Sequence, residues 1–199
     1  AKDTNLSEIA KATPFLSGAD LENIINEAAI QAVIDKHNVV TTKDLMEAID
    51  KVMYGPKKKN RVVIENERQV CAYHEAGHVL VAKYIGDADP IQKVTIISRG
   101  DMGGATFMVP EYDHLIFSKK YLLAKIAVCM GGRIAEMIQF SDESSGASSD
   151  FRNATEIAKK MVCEWGMSVG IGKVSIRGHE FWSGAESLDC SPDMRSRID

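Results

Sequence analysis

His74, Glu75 and His78 form the pattern H-E-x-x-H within the run Val70-Cys71-Ala72-Tyr73-His74-Glu75-Ala76-Gly77-His78-Val79-Leu80-Val81-Ala82-Lys83-Tyr84-Ile85. Almost every residue of that run favours or tolerates helix, and Gly86 is placed to stop it. Residues four apart in a helix stand one turn above each other, so both imidazoles leave one face and fit a single tetrahedral zinc. Glu75 sits about 100° further round the helix, where its carboxylate reaches a water on the metal rather than joining the pair. That is the division of labour of a zinc hydrolase. Histidines at this spacing can also be core residues satisfied by hydrogen bonds. Here, however, three polar side chains share an apolar helix, and one ion would satisfy all three together. Cys71, one turn before His74, is a possible ligand or a small buried hydrophobe.

A catalytic zinc takes three protein ligands and keeps one position open. The extension H-x-x-G-x-x-H fails, because Val81 and Tyr84 occupy the places of its glycine and last histidine. The third ligand therefore lies further along, among His114, His179, Glu136, Asp142, Glu143 and Asp150. The small residues before Asp150 would let backbone approach a metal, and the helix it starts would hold it rigidly. An aspartate at a helix start is also an ordinary cap. Glu136, a lone carboxylate on an apolar stretch, reads either as an exposed edge position or as a group holding an imidazole by a hydrogen bond. Spacing alone leaves these choices open.

The elements that must position these groups are mostly helical. Residues 1–54 read as helix throughout, with Asn5-Leu6-Ser7-Glu8-Ile9-Ala10 a short capped helix and Ser17 opening one that runs to about His37. Leu21, Ile24, Ile25, Ala28, Ala29, Ala32 and Val33 give that helix one buried stripe. Thr41 or Thr42 caps a third helix over 43–52, with Leu45, Met46, Ile49 and Val52 inward, and Gly55-Pro56 ends it. So few short helices make a thin core, which predicts that this segment packs on a partner. The basic run Lys57-Lys58-Lys59-Asn60-Arg61 then reads as a solvated domain linker.

After the metal-binding helix, Asp89-Pro90 breaks the chain. Val94-Thr95-Ile96-Ile97 and Ala105-Thr106-Phe107-Met108-Val109 have strand composition, joined by a glycine-rich hairpin loop that lacks the spacing of a phosphate loop. Ser118 caps a helix to about Ile138, apolar on most sides and so expected to be buried all round. Gly131-Gly132 costs about 1 kcal/mol per glycine there, which predicts a close contact, with Gly77 the obvious partner. Residues 141–149 read as a polar loop, Asp150 begins a helix over 151–165, and Val174-Ser175-Ile176 reads as a short strand. The fold class is mainly α with a small β-sheet (α+β).

The totals set limits on function. The 199 residues are 45% hydrophobic and 26% charged, with a formal net charge of −4, which is ordinary for a soluble globular chain and gives nucleic acid no electrostatic footprint. Cys71, Cys129, Cys163 and Cys190 form no C-x-x-C, so neither a disulfide scaffold nor a zinc ribbon is expected, and a reducing compartment fits. No run has the length of a membrane span and no signal peptide precedes the first helix. Both ends read as cut from something larger.

Several ordered motifs together resemble one family. Tyr73-His74-Glu75-Ala76-Gly77-His78, the Arg99-Gly100 loop leading to Gly104-Ala105-Thr106 and Pro110, Gly131-Gly132-Arg133 with Ala135-Glu136, and Ser145-Gly146-Ala147 with Asp150, Ala154 and Thr155 resemble the peptidase domain of FtsH-type proteases. Those are membrane-anchored, ATP-dependent zinc metalloproteases. Thr13-Pro14-Phe15-Leu16-Ser17-Gly18-Ala19-Asp20-Leu21 and Asn26-Glu27-Ala28-Ala29 resemble the last helical part of their AAA ATPase module, and 52–56 resemble the junction.

The resemblance implies a lid fragment at 1–56 and a zinc metallopeptidase domain at 57–199, cut at its C-terminus. It implies that His74, His78 and Asp150 bind one zinc per subunit, that Glu75 is the catalytic acid/base, and that Glu136 supports the site from behind. It also implies that Gly104, Ala105, Thr106, Phe107, Met108 and Val109 pair with an extended polypeptide substrate. ATP and Mg2+ would bind only the full-length protein. That protein would be a homo-hexamer anchored, through a segment outside this sequence, in the bacterial inner membrane facing the cytoplasm or in an organelle membrane. Phe15-Leu16 replaces the family's glycine-phenylalanine, Ser141 stands where glycine is common, and Val79 replaces alanine. The competing expectation is a non-catalytic helical oligomerisation or interaction fragment with a structural or empty metal site. Nucleotide hydrolysis by these residues alone is not expected, since they lack a phosphate loop.

Overall fold

Short polar side chains start the helices at the expected places. Ser17 and Thr41 each close a capping box, their backbone N–H groups donating to Asp20 and Asp44 at 2.8 Å. Ser118 accepts the Tyr121 N–H at 3.1 Å. The computed structural model describes residues 4–14, 16–36, 38–57, 63–98, 103–110, 112, 114–176 and 191–198. Phe15, residues 58–61 of the basic run, residues 99–102 of the hairpin loop, His179 and Cys190 lie outside the described residues.

In chain order the elements are α1 (Leu6–Ala12), α2 (Gly18–Ile34), α3 (Thr42–Tyr54), α4 (Glu65–Ile85), β1 (Ile91–Thr95), β2 (Ala105–Met108), α5 (Lys119–Phe140), a 3-10 turn (Ser145–Ala147), α6 (Ser148–Cys163) and α7 (Pro192–Ile198). The fold is mainly α with one small sheet. In that sheet β1 and β2 pair antiparallel, Thr95 opposite Ala105 and Ile91 opposite Met108, with the register slipping between Ile91 and Lys93. Among the described residues no helix is long and apolar enough to cross a membrane.

Helices α1–α3 gather their own core from Ala12, Ile24, Ala28, Leu45, Ala48 and Ile49. The stripe on α2 is narrower than the sequence pattern implies: Ile24, Ala28 and Ala32 are buried, whereas Leu21, Ile25 and Val33 are exposed. Two short neighbouring helices cover only part of its apolar face. Toward the sheet, Tyr54 at the end of α3 stacks on Phe107 with ring centroids 4.1 Å apart, and Lys93 pairs with Asp50.

The site rests on the packing of α4 against α5, where glycines bring the two backbones together. A methyl group at Gly77 would lie 2.2 Å from the Gly131 carbonyl oxygen, and one at Gly131 would lie 2.7 Å from the Gly77 carbonyl oxygen. The glycines of α5 thus meet the contact that their helix cost predicts. Gly77→Ala is expected to destabilise the domain by about 2 kcal/mol, overpacking against backbone costing about 3 and alanine's helix propensity returning about 1. Chemical denaturation checks this, and a variant as stable as the parent would contradict it.

Other elements depart from expectation for local reasons. Strand β1 starts at Ile91, directly after Pro90, and ends at Thr95, whose Oγ1 accepts the Ile97 N–H at 3.0 Å and turns the chain out of the sheet. Helix α2 stops at Ile34 because Lys36 adopts φ 60°, and α5 continues to Phe140, where Ser141 takes φ 51°. That left-handed cap is a conformation glycine adopts without strain, and here Ser141 takes it. Helix α5 is not buried all round: Leu122, Ala124, Val128, Gly131, Gly132 and Glu136 are buried, but Leu123, Ile134, Met137 and Ile138 are exposed. Residues 174–176 form no strand. Ile176 instead donates its N–H to the Cys163 carbonyl at 2.8 Å at the end of α6.

Candidate metal centre

His74 and His78 project from α4 toward α5, and what they meet there fixes their tautomers. His74 Nδ1 is 2.6 Å from Glu136 Oε1, and His78 Nδ1 is 2.7 Å from the Val128 carbonyl oxygen. A carbonyl can only accept, as does an ionised carboxylate, so each Nδ1 carries the proton and each Nε2 presents a lone pair. The two Nε2 atoms lie 3.0 Å apart, at 3.2 Å and 3.6 Å from Asp150 Oδ2. Room for the first ring comes from Gly132, where a methyl group would stand 2.5 Å from His74 Cε1.

Three electron-rich atoms converging in a half-buried place repel one another unless a cation or shared protons lie between them. Burial presses both imidazolium pKa values down, but the Asp150 carboxylate, helped by Glu136 at His74 and by the Val128 carbonyl at His78, more than offsets this and holds both above the ordinary range. Burial would raise Asp150, yet the hydrogen bonds and charges of the two histidines lower it to about 2. The donor set suits zinc: ligands at about 2.0–2.2 Å around a tetrahedral ion stand about 3.3 Å apart, within the observed spread. Among the described residues, His74, His78 and Asp150 are the group able to hold a metal ion together.

Asp150 reaches this position because α6 begins earlier than expected. The helix starts at Ser148 after the 3-10 turn, and its N-cap is Ala147, which makes no side-chain bond. Asp150 is therefore in the first turn rather than capping the helix, and its carboxylate faces the two imidazoles. Glu136 is not an edge residue: it is 2% exposed, and its Oε2 accepts the Ser144 N–H at 3.1 Å. Burial works against the Glu136 carboxylate, but Ser144 and His74 together hold its pKa below the usual value. Arg133 ties the same loop down, Nη2 donating to the Ser144 carbonyl at 2.7 Å.

The other candidates lie elsewhere. His114 stands beside Asp89 and Tyr121, Asp142 accepts the Glu143 N–H at 2.8 Å, and Glu143 approaches Arg133 at 3.8 Å. Cys71 is half-buried, outside the metal-holding group, with its Sγ against Gly104, and burial pushes its thiol pKa up. Glu75 is buried beside the two histidines on α4, and its carboxylate accepts the Thr106 hydroxyl. Strand β2 has β1 on one edge and, among the described residues, no strand on the other. The Val128 carbonyl and the Thr106 hydroxyl are partners that motif reading missed. A backbone oxygen leaves no trace in a motif, and a threonine in a strand is ordinary.

Residues 61–199 match the family model described as Peptidase family M41, and residues 3–47 match that of the AAA+ lid domain. The chain is 45% identical over its whole length to the ATP-dependent zinc metalloprotease FtsH of Thermus thermophilus, of which it covers 32%. It is 47% identical over 87% of its length to FtsH 1 of Sphaerobacter thermophilus, covering 26% of that protein. With FtsH of Mycoplasmopsis pulmonis the identity is 51% over 84% of the chain and 23% of the relative. The chain thus spans about a quarter to a third of the length of these curated relatives.

Proposed function

The chain belongs to peptidase family M41, and from that premise we propose that it is a zinc-dependent endopeptidase unit that cleaves polypeptides by attack of water on the peptide carbonyl. The observation that carries this reading is the meeting of two Nε2 lone pairs and a carboxylate oxygen beside a buried glutamate. Relatives named as zinc metalloproteases support zinc as the ion.

His74, His78 and Asp150 would hold the ion. When bound, zinc supplies a Lewis acid that polarises a carbonyl and lowers the pKa of water from 15.7 toward about 7. The remaining work falls to side chains and backbone. Glu136 and the Val128 carbonyl keep each Nδ1 protonated and each ring oriented, so that neutral Nε2 faces the site. Glu75 takes the proton from the attacking water and passes it to the leaving amine. The strand from Gly104 to Val109, with Ala105, Thr106, Phe107 and Met108 between, receives an extended substrate along its free edge and reads backbone more than side chains.

Residues 1–56 are then the end of an AAA+ lid, and 57–199 the peptidase domain. In the longer protein, ATP with Mg2+ would bind other segments, the subunits would form a homo-hexamer, and a membrane anchor would lie outside this sequence. The names of the relatives support the ATP dependence. Removing the metal with a chelator is expected to reduce cleavage of an unfolded protein to background, and stoichiometric zinc should restore it. Full-length, ATP-supplied protein that binds zinc yet cleaves nothing would favour the competing reading, a helical interaction module.

A further inference from the structure

Thr106 stands where the sheet meets the metal-bearing helix. Its hydroxyl donates to Glu75 Oε2 at 2.7 Å, and the Glu75 carbonyl oxygen is a distant second acceptor at 3.4 Å. The shorter distance is that of a charge-assisted hydrogen bond to a carboxylate. Glu75 is 6% exposed, so water is poorly placed to replace the bond if it is lost. A glutamate without such a partner would spread over several rotamers. Its other oxygen, Oε1, lies against the backbone of Gly104, where a methyl group would come within 3.0 Å. Among the described residues Oε1 has no hydrogen-bond donor.

The strand holds Thr106 in this orientation. Successive side chains of β2 point to opposite faces, so Thr106 faces α4 while Phe107 stacks on Tyr54. Pairing of Thr106 with Val94 across the ladder, and of Ala105 with Thr95, fixes the register that presents the hydroxyl.

We propose that Thr106 is the positioning residue of the acid/base carboxylate: its hydroxyl fixes Glu75 Oε2 and leaves Oε1 as the oxygen that takes and returns the proton. This rests on the peptidase reading above. It joins the strand that receives substrate to the group that serves the reaction through one hydrogen bond. Substrate affinity depends on backbone pairing along β2, whereas turnover depends on the hydroxyl.

The test compares Thr106→Val and Thr106→Ser in the full-length, zinc-loaded protein, measuring kcat and KM on an unfolded protein together with bound zinc. Valine keeps the shape and strand preference of threonine and removes only the donor. A hydrogen bond to a charged group corresponds to about 10- to 100-fold in rate, so kcat of the valine variant should fall by that factor with KM and zinc content unchanged. Serine should restore kcat to within about threefold of the parent. A valine variant as fast as the parent, or a serine variant as slow as valine, overturns the role. Should valine fail to fold, Thr106→Ala is set against Thr106→Ser by the same measure, and equal rates overturn it. A zinc-loaded parent with no activity sinks the peptidase reading and this proposal together, whereas a fast valine variant beside an active parent sinks this proposal alone.

Discussion

Replacing Glu75 with glutamine is expected to leave zinc bound and to lower peptide cleavage by about 10²- to 10⁴-fold, the range for loss of a general acid/base. Glutamine has nearly the volume of glutamate, and its amide oxygen can still accept the Thr106 hydroxyl that now meets Oε2 at 2.7 Å. The side chain should therefore stay in place. The lost property is basicity, since a neutral amide cannot take a proton from water near neutral pH. Nor does Glu75 belong to the group that converges to hold a metal, so zinc content should match the parent. Metal analysis beside turnover of an unfolded substrate checks both halves. Turnover within tenfold of the parent would remove Glu75 from proton transfer.

The second large effect is expected at Asp150. Removing its carboxylate with alanine should weaken zinc binding by more than about 100-fold, because even outer partners of metal ligands are worth about 10- to 100-fold. The geometry explains the size of the effect. Asp150 Oδ2 is within 3.6 Å of both Nε2 atoms, and its negative charge offsets their mutual proximity. Without it, two imidazoles remain for an ion that needs three protein donors, and the ion would fill the gap with water. Competition against a chromophoric chelator gives the affinity. An alanine variant that holds zinc as tightly as the parent would show that another side chain completes the site.

The contrast between these two residues shows how far the sequence could be read. His74, Glu75 and His78 stood out because their geometry depends only on the pitch of one helix, which local composition specifies well. Ser17 and Ser118 were legible for the same reason, since a cap acts within three residues of itself. For α3 the choice narrowed to Thr41 or Thr42, of which Thr41 is the cap. The meeting of Gly77 with Gly131 was legible because each glycine is costly in a helix and so demands a compensating contact. Asp150 remained one of several candidates. Its position depends on where α6 begins and how the 3-10 turn aims it. The loop before that turn is tied to α5 through Ser144, by bonds to Arg133 and Glu136, which are distant from Asp150 in sequence.

Apolar periodicity misled in a consistent direction. It placed Ile25 and Val33 in one buried stripe on α2 and implied that α5 is buried all round, yet Ile25 and Val33, and Ile134 and Ile138 on α5, are exposed. The pattern of a helix records that a face is apolar and says nothing about whether these residues supply the neighbour that covers it. The strand error had another origin. Ile96 and Ile97 are good strand formers, but the local hydrogen bond from the Ile97 N–H to Thr95 Oγ1 takes the backbone out of the ladder first. On the helices the deciding factor was whether a distant neighbour covers the face, and in the strand it was a local hydrogen bond that composition alone does not reveal.

The central claim is that α4 and α6 together hold one zinc ion. Anomalous diffraction at the zinc edge tests it most directly. The account predicts a single peak about 2.0–2.2 Å from His74 Nε2, His78 Nε2 and an Asp150 carboxylate oxygen. A crystal grown with zinc that shows no peak between these three groups, or one completed by a different side chain, would contradict it.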